Sequence, residues 1–118
     1  MYMNITYATT NYELTGEIEA YAEEKAGSIS KLITNPDAEL RVELEKDAKH
    51  HSGSIYRADM TVHSAGLKTH AVGHGATMHA ALDLSKDELK RRLTREKGRF
   101  SSMSRTIGAR VKQMMRRG

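Results

Sequence analysis

Two stretches of this chain alternate with a period of two, and a third pairs with them. In AELRVELEK, Ala38, Leu40, Val42 and Leu44 fall on one side, and Glu39, Arg41, Glu43 and Glu45 on the other. In SIYRADMTVHS, Tyr56, Ala58, Met60 and Val62 oppose Arg57, Asp59, Thr61 and His63. Residues 65–66, AG, read as a tight turn, so the following LKTHAVGHG returns as the second arm of a hairpin. A sheet with one apolar and one charged face needs cover on the apolar face only. That requirement limits the fold more than any other feature of the sequence.

Two segments have the periodicity to supply the cover. In NYELTGEIEAYAEEKAGSISKLI, Ile18, Tyr21, Ala22, Ala26, Ile29, Leu32 and Ile33 recur at helical spacing. Thr15 is a suitable N-cap, and Glu17 and Glu19 suit the positive end of the helix dipole. TNPD, with the single proline, closes this helix, and DAKHHSG is a polar loop. A second helix is expected over about residues 76–97, with Gly98 at or near its end. Ahead of both helices, Met3, Ile5 and Tyr7 alternate as a short first strand. The order is β-α-β-β-β-α. The expected architecture is α+β: a four-stranded sheet, its last three strands an antiparallel meander, with two helices packed on one face. Residues 1–100 form the expected domain. Residues 101–118, SSMSRTIGARVKQMMRRG, read as a basic C-terminal tail that gains structure on binding.

Charge is divided unevenly along the 118 residues. Residues 1–85 hold 7 Lys/Arg against 12 Asp/Glu, a net of −5, while residues 86–118 hold 12 against 3, a net of +9. A basic end of this strength points to a polyanionic partner. There is no cysteine, which excludes disulfides and thiolate metal sites and suits a reducing compartment. No apolar run approaches the ~20 residues of a membrane span, and the first residues lack the pattern of a signal peptide. A cytoplasmic protein is expected.

The second helix sharpens the picture. At ~100° per residue, Leu82, Ser85, Leu89 and Leu93 form one arc that should face the sheet. Lys86, Lys90 and Lys97 flank it on one side and Arg92 on the other. Arg91, Arg95 and Arg99 lie opposite, a ladder with a ~6 Å step that resembles phosphate spacing along a nucleic-acid strand. Like charges at this spacing repel by a few tenths of a kcal/mol per pair, which phosphates would relieve. With no Trp and one Phe, the chain lacks a stacking platform for single strands. Cations without aromatics suit structured RNA read by shape and backbone.

These segments together resemble the ribosome hibernation promoting factor and ribosome-associated inhibitor (protein Y) family over roughly residues 3–100. The resemblance rests on MNIT, ELTGEIEAYAEEKAGSISKL, ADMTVHSAGLKTHAVGHGATMHAALD and DELKRRLTREKGR, in that order. It implies a fold similar to double-stranded RNA-binding domains. It further implies binding to small-subunit rRNA in the decoding channel, where such proteins block mRNA and tRNA sites and inhibit translation. Lys25 and Lys31 match basic positions of the family's first helix, and Arg91, Arg95, Lys97 and Arg99 those of its second. Ser28 and Glu88 stand where members often carry Lys, and Thr77 and His79 replace an acidic residue and a Tyr. Lys86, Lys90 and Arg92 are candidates to compensate. The dimerising second domain of long members has no counterpart here, so a monomer off the ribosome is expected.

Other functions find less support. His70 and His74 share a strand face but lie ~13 Å apart, too far for one metal ion with ~2 Å bonds. His50 and His51 have no carboxylate or thiolate cluster beside them in sequence. SAG at 64–66 and HGAT at 74–77 lack the surroundings of a nucleophile elbow, and VGHGAT is not a phosphate loop. No metal, cofactor, small-molecule substrate or enzymatic activity is expected. In the tail, Arg105, Arg110, Lys112, Arg116 and Arg117 read as an RNA arm. Ile107, Val111, Met114 and Met115 make too weak an apolar face for a membrane-surface helix. Glu39, Glu43, Glu45 and Asp59 read as solvated sheet surface. The alternative to the ribosome is a binding module for another structured RNA.

Overall fold

The computed structural model describes residues 4–33, 37–49, 53–64 and 67–95. Strand β1 spans Asn4–Thr10, helix α1 Gly16–Ser30, and strands β2, β3 and β4 span Glu39–Lys46, Tyr56–Ser64 and Leu67–Gly75. A second helix, α2, covers 78–95. The four strands make one sheet in the order β1-β2-β3-β4. β2, β3 and β4 form the expected antiparallel meander. β1 adds in parallel to β2, with Ile5 opposite Leu40 and Tyr7 opposite Val42. A parallel neighbour needs a crossover, and α1 provides it.

The observed fold is the α+β arrangement anticipated from the pattern. Leu40, Val42 and Leu44 of β2 and Ala58, Met60 and Val62 of β3 are almost completely buried. They meet Ile18, Ala22, Ala26 and Ile29 from α1, and Met78, Ala81, Leu82, Leu89 and Leu93 from α2, in a single cluster. Both helices therefore cover the same face. Ser64 pairs with Leu67, so the hairpin connection is the two residues 65–66, which themselves lie outside the described residues, as does most of TNPD.

The ends of the elements follow local chemistry. Thr15 has extended backbone (φ −100°, ψ 163°), and its hydroxyl accepts from the Ile18 amide at 3.2 Å. The last turn of α1 tightens through Leu32 N–H to Ile29 O (2.9 Å) and Ile33 N–H to Ser30 O (3.1 Å). Between β1 and α1, Asn11 adopts φ 54°, and its side-chain amide donates to the Lys46 carbonyl at 3.1 Å. Asparagine tolerates this left-handed conformation better than most residues, and the bond ties the chain to the end of β2.

A close contact joins α2 to β4. Gly73 and Gly75 face the helix. A Cβ at Gly73 would stand 2.5 Å from the Ser85 amide nitrogen and closer still to the Ala81 carbonyl oxygen. One at Gly75 would stand 2.8 Å from Ala80 Cβ and 2.9 Å from the Ala81 nitrogen. Backbone, not a flexible side chain, occupies that space. The fully buried Ser85 donates its hydroxyl to the Ala71 carbonyl at 2.8 Å across the same contact. Gly73→Ala is expected to destabilise the protein by about 3 kcal/mol through overpacking. Ser85→Ala should cost about 1 kcal/mol for the lost hydrogen bond. Urea denaturation midpoints at unchanged m-value test both.

Candidate nucleic-acid interface

Helix α2 presents three sides. Thr77 accepts the Ala80 amide on its hydroxyl at 3.0 Å and caps the N-terminus. The arc Leu82, Ser85, Leu89 and Leu93 faces the sheet as expected from its spacing. Arg92 flanks that arc beside β4, where its Nη1 donates to the His70 carbonyl at 2.7 Å and its Nε to Glu88 at 2.8 Å. Leu84, Arg91 and Arg95 face solvent.

The third side faces α1. Tyr21 donates its hydroxyl to Asp83 Oδ1 at 2.8 Å, and Lys25 Nζ approaches the same oxygen at 3.3 Å. Lys25 also lies over the Tyr21 ring, 4.6 Å from its centroid. His79 meets Tyr21 edge to face at 4.5 Å, and its Nε2 stands 3.2 Å from Glu17. The contacts advance together along both helices, from Glu17–His79 to Lys25–Asp83, so α1 and α2 run in the same direction. Lys31 caps the C-terminal end of α1.

The expected cations are not equivalent. Lys31 and Arg95 are exposed, Lys90 is half-buried, and no ion pair engages any of the three among the described residues. Arg91 is exposed, with 71 % of its side-chain surface open, but it pairs with Glu88. Glu88 thus serves both Arg91 and Arg92 and partly relieves the repulsion anticipated for the arginine ladder. Lys86 pairs with Asp87 at 2.6 Å, and Lys25 is held by Asp83. Both side chains are only 19 % exposed. Ser28 turns back to the Lys25 carbonyl at 2.9 Å and adds no charge. Lys97, Arg99, Arg105, Arg110, Lys112, Arg116 and Arg117 lie outside the described residues.

Sequence reasoning missed the contact between the helices. Tyr21 and Asp83 are 62 residues apart, and each alone looks ordinary. Glu88 was legible in principle, since it stands three and four residues before its partners. Tyr7, Tyr12, Tyr21 and Tyr56 are all half-buried and packed on the core, with Tyr12 and Tyr56 in edge-to-face contact at 6.1 Å.

The opposite face of the sheet is a lattice of ion pairs. Arg41 meets Glu43 at 2.8 Å, and Arg57 meets Glu45 at 3.7 Å and Asp59 at 3.4 Å. His70 Nδ1 stands 3.3 Å from Asp59. Among the described residues no group of three or more His, Asp or Glu is placed to hold a metal ion, and no helix is long and apolar enough to cross a membrane.

The inter-helix contact has a defined pH range. Burial pushes the Asp83 carboxyl up, but the Tyr21 hydroxyl and Lys25, with the charge of Lys86, outweigh it and hold the group below 3.8. Burial alone would lower Lys25, yet Asp83 and Tyr21 raise it above 10.5. A depressed carboxyl stabilises the fold above its unfolded value and loses that effect as pH falls through its folded value. A raised ammonium does so below its unfolded value and loses the effect as pH rises through its folded value. The stability difference between wild type and Asp83→Asn should therefore be flat from about pH 5 to 9 and shrink below about pH 4. Urea unfolding across that range checks it.

Residues 5–101 match the family described as Sigma 54 modulation protein / S30EA ribosomal protein. The fold is similar to the crystal structure of the Thermus thermophilus Protein Y N-terminal domain, with TM-score 0.67 and 26 % identity over 79 % of this chain and 98 % of that one. It is also similar in fold to a ribosomal subunit interface protein from Coxiella burnetii, with TM-score 0.64 and 15 % identity over 83 % of this chain and 99 % of that one. No curated protein is significantly similar to the chain in sequence.

Proposed function

The chain belongs to the Sigma 54 modulation protein / S30EA ribosomal protein family, and from that premise we propose that it is a ribosome hibernation factor. It binds small-subunit rRNA in the decoding channel, blocks mRNA and tRNA sites, and inhibits translation under stress by occupancy, without chemistry. The family match over residues 5–101 is the observation that carries this reading.

The surface of α2 supports it. Arg91 and Arg95 project from a helix whose opposite side is locked to the sheet, so they present charge at a fixed position. Lys31 and Lys90 extend the same side, and Lys25, Lys86 and Arg92 border it. Lys97 and Arg99 continue the helix's sequence of cations, and Arg105, Arg110, Lys112, Arg116 and Arg117 supply an arm for the phosphates beyond. The half-buried tyrosines favour backbone and shape recognition over base stacking. The protein works in the cytoplasm and is a monomer off the ribosome.

Purified protein should co-pellet through sucrose with small ribosomal subunits at low salt and be released as salt rises. Arg91→Glu/Arg95→Glu reverses two charges and should weaken binding by at least about tenfold, with a shallower salt slope. If wild type stays in the supernatant at low salt, the ribosomal reading fails. Retention on another structured RNA in the same assay would then identify the alternative partner class.

A further inference from the structure

The acid at the centre of the inter-helix contact carries the wrong sign for an RNA-binding surface. Asp83 accepts from Tyr21 at 2.8 Å and meets Lys25 Nζ at 3.3 Å. By simple field arguments it should repel phosphate. We propose that Asp83 is instead a positioning residue for RNA binding: with Tyr21, it holds Lys25 of α1 in place for a phosphate. This inference rests on the reading of the protein as a binder of rRNA.

The geometry supports it in three ways. A free lysine has many rotamers, and part of that freedom is lost when a ligand fixes it. Here the side chain is fixed beforehand, because the Tyr21 ring supports the ammonium at 4.6 Å and Asp83 anchors it. An ammonium has three donors, and Asp83 and Tyr21 leave at least one for a phosphate oxygen. Asp83 itself is 44 % exposed, so the pair stands at the surface and is not sealed in the core. His79 extends the support, since it packs on Tyr21 at 4.5 Å and reaches Glu17 at 3.2 Å. The position of Lys25 is therefore coupled to the register of the two helices.

The two effects of Asp83 have opposite signs, so substitution separates them. Wild type, Asp83→Asn, Asp87→Asn, Lys25→Gln and the double variant Lys25→Gln/Asp83→Asn are compared for binding to small subunits. Asp87→Asn removes an equal charge from the same helix and, like Asp83→Asn, releases a paired lysine, Lys86, but it leaves the Tyr21 anchor of Lys25 intact. In the free proteins, acylation of Lys25 relative to Lys31 is followed by mass spectrometry, and thermal unfolding confirms that each variant is folded. The expected result is that Asp87→Asn tightens binding while Asp83→Asn weakens it about fivefold. In the Lys25→Gln background Asp83→Asn should no longer weaken binding. Lys25 should acylate several-fold more slowly than Lys31 in wild type and lose that protection in Asp83→Asn. Tighter binding by Asp83→Asn, or an equal loss with and without Lys25, overturns the proposal. If wild type does not bind small subunits, the ribosomal reading falls and the labelling decides alone whether Asp83 holds Lys25. Equal reactivity of Lys25 and Lys31 in wild type would show that it does not.

Discussion

The contact of α2 with β4 through Gly73 and Gly75 determines where the charges of this protein stand. Most helices rest on sheets through side chains that can adjust. Here the helix backbone at Ala81 and Ser85 lies against the strand so closely that two missing Cβ atoms are required. Ser85 adds a buried hydrogen bond to Ala71. A helix seated on backbone has little freedom to roll, and the direction of Arg91 and Arg95 is thereby settled as well. The contact of α1 with α2 is of another kind. It is made of Tyr21, Lys25, His79 and Asp83, all polar or amphipathic and all half-buried. The sheet side of the helix layer is packed by sterics, and its outer seam is held by polar pairing.

The electrostatics of the two faces differ for a physical reason. On the open sheet face cross-strand neighbours lie within reach of each other, so acids and bases on adjacent strands pair directly. Arg57, for example, reaches Glu45 on β2 as well as Asp59, two residues along its own strand. Such a lattice cancels most of its own field at short range. On α2 cations outnumber anions, and Glu88 already serves two arginines. Among the described residues the uncompensated charge therefore gathers on the helical side, at Lys31, Lys90 and Arg95.

Much of the fold was legible because alternation and helical periodicity report burial directly. The apolar residues of β2 and β3, the Thr15 cap and the arc of α2 that includes Ser85 are all local patterns. The roles of Gly73 and Gly75 were not legible. A glycine within a strand reads as a weak point until a helix is known to lie over it, and the partners Ala80, Ala81 and Ser85 give no local sign. The site was legible as a set of cations but not as an arrangement. Nothing in the spacing of Lys25 separates it from Lys31, yet one is anchored across a helix seam and the other is exposed to solvent. Glu88 is the reverse case: its spacing to Arg91 and Arg92 is local, but the spacing does not say that one carboxylate serves both.

In the proposed reading, RNA has to compete with the protein's own acids for its cations. Exposed ion pairs are worth about 0–1 kcal/mol, and salt screens them further. Arg91 is among the most exposed side chains of α2, so exchanging Glu88 for a phosphate costs little. Arg92 is different, because its second bond to the His70 carbonyl holds it to β4 whether or not Glu88 is displaced. Glu88 is then a stand-in that relieves repulsion along the helix while no ligand is present. It yields Arg91 without freeing Arg92 from the strand. A surface arranged in this way loses little stability to its excess charge and, in the proposed reading, keeps its binding energy for a polyanion that displaces the stand-in.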